Sequence, residues 1–326
     1  MKRRMFLLAA VPALAAALLA PLPALAAYPE RPITLVLPVS AGGSHDLHAR
    51  GITSIIGDIL GQPMIVKLLP GGAGMKGTGF VASAKADGYT IIFSHNGFDQ
   101  LVPQTQKVSF SSLKDFKALA RINYAQPMLI ASSGKPFKTF KEFIAYAKKN
   151  PGKTNFGHSG VFGALHMPAL QLVRDAGIKV NFIPHKGGGP ALQAVLSGQD
   201  DIGGAFATQA RAHVKTGKII ALAVVGDARM TNDPDFKNVP TMAELGYPDV
   251  SFTMERIFLA PAKVPADRLK VLREAFDKLV KNRSFLAFMK NIGEPIQYMK
   301  GEDYEKTRAK QFAEYTKLIK TMTAKK

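Results

Sequence analysis

From Pro32 onward, short β-rich runs alternate with segments whose apolar residues recur at helical spacing, and few architectures accommodate that alternation. The runs Ile33 to Val39, Met64 to Leu69, Tyr89 to Ser94, Met128 to Ser132, Lys179 to Pro184 and Ile219 to Val225 read as strands. Between them, Thr139-Phe140-Lys141-Glu142 has capping-box spacing, with Phe140, Phe143, Ile144 and Ala147 on one face behind it. Thr241 to Glu244 repeats that start signal. Leu269, Leu272, Phe276 and Leu279 form another stripe, and a C-terminal helix is expected to bury Tyr304, Phe312, Tyr315, Ile319 and Met322. Largely apolar strands in regular β-α alternation predict parallel sheets covered on both faces, the doubly wound α/β class. At roughly 150 residues per domain, 326 residues favour two domains. In such folds ligands sit beyond the strand C-termini, where loops meet helix N-termini.

The first 26 residues differ in kind. Lys2, Arg3 and Arg4 precede an Ala/Leu-rich apolar run, Met5 to Leu22, and Ala24-Leu25-Ala26 supplies a small-residue exit. That is the layout of a cleaved export signal, and Pro12 and Pro21 favour it over a membrane anchor. No later segment approaches spanning length. The mature chain is expected to work outside the cytoplasm, in the periplasm, without spanning the membrane, as a monomer.

Cysteine is absent, which removes disulfide frameworks, thiolate metal sites and cysteine nucleophiles together. Without Lys2, Arg3 and Arg4 the chain keeps 40 basic against 24 acidic residues, a formal +16. Residues 123–226 hold 12 Lys/Arg against 4 Asp/Glu, so the charge is spread, not clustered. A solvated basic surface that attracts small anions fits this better than a nucleic-acid footprint.

The stretch Pro38-Val39-Ser40-Ala41-Gly42-Gly43-Ser44-His45-Asp46 combines a strand end, a glycine turn and a helix start. Glycines let the backbone come near a ligand, and the orphan N–H groups of a helix N-terminus favour anions. Two further junctions have the same build: Asn155 to Ala164, which includes Gly157-His158-Ser159-Gly160, and His185-Lys186-Gly187-Gly188-Gly189-Pro190. Three such turns suggest loops converging on one small ligand. Gly72 to Gly77 fits G-x-G-x-x-G, but no acidic residue follows at the distance a dinucleotide site needs. Gly157 to Val161 approaches the hydrolase elbow G-x-S-x-G and fails at Val161. His45, Asp46 and His48 carry metal-ligand side chains without a metal-site spacing, and Asp46 has an electrostatic reason to open a helix.

Taken in order, these segments resemble the substrate-binding receptors of tripartite tricarboxylate transporters, the Bug proteins. The opening is carried by Tyr28, Pro29, Arg31, Pro32, Ile33, Gly42, Gly43, Ser44, Asp46, Ala49 and Arg50. It is followed by Leu60-Gly61-Gln62-Pro63, Pro70 to Gly74, Asp87-Gly88-Tyr89-Thr90, Asn150 to Lys153, Ser159-Gly160, Lys186-Gly187, Gly198-Gln199 and Pro240-Thr241 with Glu244 and Gly246. The resemblance covers nearly the whole mature chain. It implies a two-domain periplasmic-binding-protein fold, doubly wound sheets joined by crossing strands, closing on a small carboxylate that is delivered to integral membrane transporter subunits, with no catalysis and no cofactor. It also implies that the carboxylate is held by backbone N–H groups of Ser40, Ala41, Gly42 and Gly43 and of the His158 to Gly163 turn, and that Gly72 to Gly77 is structural.

Domain 1 is expected at 27–122 and 227–326, domain 2 at 123–226. The further candidate contacts are His45, His95, Asn96, Ser159, Phe162, His185, Lys186, Phe206 and Thr208. Departures bear on specificity: Ala41 stands for the usual Pro, Val161-Phe162-Gly163-Ala164 replaces a hydroxyl-rich run, Gly204 to Thr208 loses an Asp and an Asn, and Met254-Glu255-Arg256 occupies a usual aromatic position. A less polar cleft follows, with Phe162 and Phe206 available to flank the ligand, which favours aromatic or aliphatic mono- and dicarboxylates over tricarboxylates. A secreted hydrolase with Ser159 as nucleophile is the alternative reading.

Overall fold

β-branched and aromatic runs pair into two sheets because each run can bury both of its faces under helices. The computed structural model describes residues 28–163 and 165–323; the expected export signal, residues 1–26, lies outside the described residues. The order is β1 (Ile33–Leu37), α1 (Ser44–Leu60), β2 (Met64–Leu68), α2 (Met75–Ala82), β3 (Thr90–His95), α3 (Ser112–Asp115), β4 (Phe116–Ala125), β5 (Met128–Ser132), α4 (Phe140–Lys149), β6 (Asn155–His158), α5 (His166–Ala176), β7 (Asn181–Pro184) and α6 (Gly188–Leu196). It continues with β8 (Ile202–Ala205), α7 (Ala207–Lys215), β9 (Ile219–Val224), β10 (Met254–Pro261), α8 (Ala266–Leu279), α9 (Arg283–Asn291), β11 (Met299–Lys300) and α10 (Gly301–Thr323).

The first sheet has the order β11-β4-β10-β3-β1-β2 and the second β7-β6-β8-β5-β9. Each sheet with its helices forms one of two domains, here called lobes. Pairs joined by helical crossovers are parallel, as expected: β1 with β2 and β3, and β6 with β7 and β8. The sheets as wholes are mixed, which corrects the all-parallel expectation. The reason is the crossing chain. β4 leaves the first sheet for β5 and β10 returns to it, so they run in opposite senses and pair antiparallel from Met254 opposite Ala125 to Pro261 opposite Phe116. β5, continuing the outward direction, is likewise antiparallel to β8 and β9.

Ile33, Leu35 and Leu37 of β1 pack under Ile52 and Ile56 of α1 and Leu272, Phe276 and Leu279 of α8, while Val36, Ile92 and Ile257 face Val81 of α2 and Tyr304 of α10. In the second lobe Phe140, Phe143 and Leu172 cover one face and Leu192, Val195 and Ala210 the other. The Thr139 capping box forms with both reciprocal bonds at 3.2 Å. Thr241 and Glu244 make the same reciprocal bonds, 2.7 and 3.2 Å, but no helix follows. One turn later Gly246 enters the left-handed region and Pro248 cannot continue a helix. On α10 only Tyr304 of the expected stripe is buried; Phe312, Tyr315 and Ile319 are half-buried, and the Met322 side chain lies outside the described residues. Arg308, which the apolar pattern could not reveal, is fully buried against Asp99. None of the described helices is long and apolar enough to cross a membrane.

Candidate functional site

β1 delivers the chain through Val39 and Ser40 to the turn that opens α1. Gly42 takes φ 84° and Gly43 caps the helix in extended conformation without a side-chain cap. Some of the turn's amides are already engaged. Gly42 donates to Asp46 Oδ2 at 3.0 Å, Ser40 to the Lys186 carbonyl at 3.1 Å and Ser44 to Gln209 Oε1 at 2.9 Å. The last two bonds cross from one lobe to the other. The Ala41 and Gly43 amides have no hydrogen-bond acceptor among the described residues.

The turn meets the third glycine junction backbone to backbone. A Cβ built on Gly189 would lie 2.5 Å from the Ala41 carbonyl oxygen and 2.9 Å from the Gly43 nitrogen, and one on Gly43 would lie 3.2 Å from the Gly189 nitrogen. The second junction meets a different stretch of the first lobe. Gly160, at φ 136°, opposes Ala73, where an added Cβ would come to 3.4 Å, so the segment set aside as structural lies opposite the Ser159 turn. Phe162 adopts φ 55°, rare for a residue with a side chain, and its ring reaches from the second lobe to pack on the core of the first.

Four histidines line these junctions, each under 8% exposed: His45, His95, His158 and His166. His95 Nδ1 accepts the Gly97 amide at 3.1 Å, so its proton sits on Nε2. His166 Nδ1 accepts the Phe162 amide at 2.9 Å, with the same consequence. Burial, reinforced by the Arg256 charge beside His95 and by His158 beside His166, pushes both imidazoles down to about 3. His45 is pushed well below the usual range by burial, then by His95 and Arg256, and His158 is lowered chiefly by burial. All four are neutral near pH 7.

Beneath the first turn lies a buried ionic network. Arg256, on an irregular stretch of β10, is fully buried and bonds Glu294 through both terminal nitrogens, Asn123 Oδ1 at 3.1 Å and Ser44 Oγ at 3.0 Å. His48 lies between the Ser44 carbonyl, 2.6 Å from Nδ1, and Glu294 Oε2, 3.0 Å from Nε2. Burial opposes ionisation of Glu294, but Arg256 and His48 outweigh it and hold the carboxyl below its usual range. The Phe206 ring, from the second lobe, covers the Arg256 guanidinium at 5.5 Å and packs with Phe252 and Met254.

The other candidates fall as follows. Asn96 is committed internally, donating to the Thr253 carbonyl and to Tyr315, both 2.9 Å, and accepting from the Glu255 amide. His185 turns Nε2 onto Asp200 at 2.7 Å, Lys186 is exposed and contributes its carbonyl, and Thr208 Oγ1 is buried without a partner. Gly163 is buried behind Ser159, which is half-buried. Ser159 Oγ has no hydrogen bond to an imidazole among the described residues, so the nucleophile geometry of the hydrolase reading is not assembled. His45, Asp46 and His48 turn to different partners, and no group of three or more His, Asp or Glu side chains among the described residues could hold a metal. Sequence reasoning missed His166, Gln209, Arg256 as an ionic anchor, and Glu294. Only Arg256 carried a signal, as a departure from an aromatic position.

The chain matches known proteins over most of its length. The family model described as "Tripartite tricarboxylate transporter family receptor" matches residues 48–324. The UPF0065 protein in the gbd 5' region of Cupriavidus necator is 33% identical over 310 residues, covering 93% of each chain. Periplasmic binding protein BugD superposes with a TM-score of 0.83 at 27% identity, covering 90% of this chain and 98% of its own. Rpa4515 of R. palustris, solved with adipate, gives 0.82 at 24% identity, covering 90% and 98%.

Proposed function

The chain belongs to the tripartite tricarboxylate transporter receptor family, whose members are periplasmic solute-binding receptors and not enzymes, and from that premise we propose that it captures a small carboxylate between its lobes and hands it to integral membrane transporter subunits. The observation that carries this reading is the pair of unengaged amides, Ala41 and Gly43, at the N-terminus of the 17-residue helix α1, roofed by the glycine turn of the other lobe. A carboxylate there accepts N–H bonds in the favourable field of the helix end and ties the lobes together. Adipate in the structure of Rpa4515 supports a carboxylate as the ligand class. Aromatic or aliphatic mono- and dicarboxylates outrank tricarboxylates, because Phe162, packed on the first lobe's core, and Phe206, over Arg256, bring no hydrogen bonds for a third carboxylate.

The crossing strands β4 and β10 carry the hinge, and the return to the first lobe falls at β10 instead of at residue 227, because Phe236, Met242 and Val250 pack in the core of the second lobe. The protein is exported with residues 1–26 removed and works in the periplasm as a monomer without a cofactor. Calorimetric titration with mono-, di-, tri- and aromatic carboxylates tests the reading. At least one acid should bind with a Kd at or below the micromolar range, and its neutral amide should not. Binding of the amide as tightly as the acid would refute an anion site.

A further inference from the structure

Two buried imidazoles beside the Gly43 turn have opposite hydrogen-bonding capacities. His45, the second residue of α1, directs Nε2 at the Ser94 carbonyl, 3.2 Å away, so Nε2 carries the proton and Nδ1 is a bare acceptor. His95, at the end of β3, has its Nδ1 occupied by backbone amides and presents Nε2–H as a donor. The rings lie 5.2 Å apart at 60°, 6% and 4% exposed, and neither free nitrogen has a hydrogen-bond partner among the described residues. Arg256 acts on both rings and disfavours a second proton on either.

A carboxylate oxygen cannot serve His45 Nδ1, since both are acceptors, and an ammonium cannot serve His95 Nε2–H, since both are donors. A hydroxyl serves both. We propose that His45 and His95 together recognise a hydroxyl group on the bound acid, so that the ligand is a hydroxycarboxylate whose carboxylate sits on the Ala41 and Gly43 amides. This rests on the carboxylate reading above and narrows it.

Sites built to bond a hydroxyl reject the analogue that lacks it, because their own polar groups are left unpaired. The test is calorimetric titration of matched pairs: lactate against propionate, 3-hydroxybutyrate against butyrate, malate against succinate, mandelate against phenylacetate. In at least one pair the hydroxy acid should bind roughly tenfold or more tighter. His45→Phe and, separately, His95→Phe should bring that ratio to near one. Because His95 also anchors the Gly97 and Phe98 amides, the intact protein labelled with 15N-histidine supplies a second readout. The Nε2 signal of His95 should move with the hydroxy acid and not with its deoxy partner. Equal binding of every pair, or a preference that survives both substitutions, overturns the inference and leaves the carboxylate reading standing. Failure of every acid to bind overturns both.

Discussion

Gly189→Ala separates the stability of the second lobe from closure onto the first. Gly189 is the second residue of α6 and has no left-handed φ, so alanine suits the local backbone and gains up to about 1 kcal/mol in helix propensity. The added Cβ would lie 2.5 Å from the Ala41 carbonyl oxygen, 2.9 Å from the Gly42 carbonyl carbon and 2.9 Å from the Gly43 nitrogen. All three are backbone atoms. Nothing flexible can step aside, so the lobes must part by roughly the difference from an ordinary van der Waals contact, about 1 Å. That separation puts the Ser40–Lys186 and Ser44–Gln209 bonds at risk, each worth about 0.5–1.5 kcal/mol, and lifts the roof from the anion site. A closed state disfavoured by about 1–3 kcal/mol lowers apparent affinity by roughly 5- to 150-fold. Calorimetry should find that loss, while the melting temperature of the ligand-free variant stays level or rises. Gly188→Ala is the control, since its Cβ would meet only the Gln209 side chain, at 3.5 Å and beyond. Affinity for Gly189→Ala within twofold of the parent, in a folded protein, would show that these turns do not meet in the liganded state.

Acidification should destabilise the protein through its buried imidazoles. His95 and His166 stay neutral down to about 3 in the folded state, whereas in the unfolded chain they take a proton near ~6.5. The unfolded state thus binds more protons below ~6.5, and stability falls from there toward 3 by up to about 1.4 kcal/mol per pH unit for each group. Melting curves between pH 7.5 and 5 should show this, with a shallower slope in His166→Phe; an unchanged slope in that variant refutes its share. Glu294→Gln strands the Arg256 guanidinium in a fully buried site and should cost about 3–5 kcal/mol in urea denaturation, whereas Arg256→Met with Glu294→Leu should recover most of it. A single variant that loses under 1 kcal/mol would mean water reaches the pair. Intact-mass analysis of periplasmic protein should give an N-terminus near Ala27, and retention of Met1 in membranes would mean an anchor.

How much of this fold the sequence discloses depends on whether an element is made by its own residues or by its neighbours. β1, β2, β3, β5, β7 and β9 carry β-branched or aromatic runs and start and stop within two residues of the expected bounds. β8, Ile202–Ala205, reads Ile-Gly-Gly-Ala and has almost no strand propensity. Its glycines answer to tertiary constraints: a Cβ on Gly203 would meet Val195 at 2.9 Å and the Gly157 carbonyl at 3.0 Å, and one on Gly204 would meet Leu165 at 2.3 Å. β10 contains Glu255 and Arg256, yet all eight of its residues are buried. The charges are matched by Arg121 and Tyr304 for Glu255 and by Glu294 for Arg256, residues 38 to 134 positions away that no local window can join.

The glycine junctions are legible as turns and as candidates for one ligand, but not as contacts with each other. Glycine doublets at strand-to-helix junctions announce that backbone will come close to something, but the sequence cannot say to what. Here the something is, in part, the other lobe: Gly43 and Gly189 each leave room for the other's main chain. Glycine at these two turns is therefore required by the meeting of the lobes, and a side chain added to either is felt by both. Proton placement on the imidazoles was equally hidden. His95 is an Nε2–H donor because the chain after β3 turns back to offer Nδ1 the Gly97 amide, and His45 is an Nδ1 acceptor because α1 sets its other nitrogen against Ser94. The residue types gave two histidines near an anion turn; only the backbone around them makes one a donor and the other an acceptor, and that difference is what can tell a hydroxy acid from a plain one.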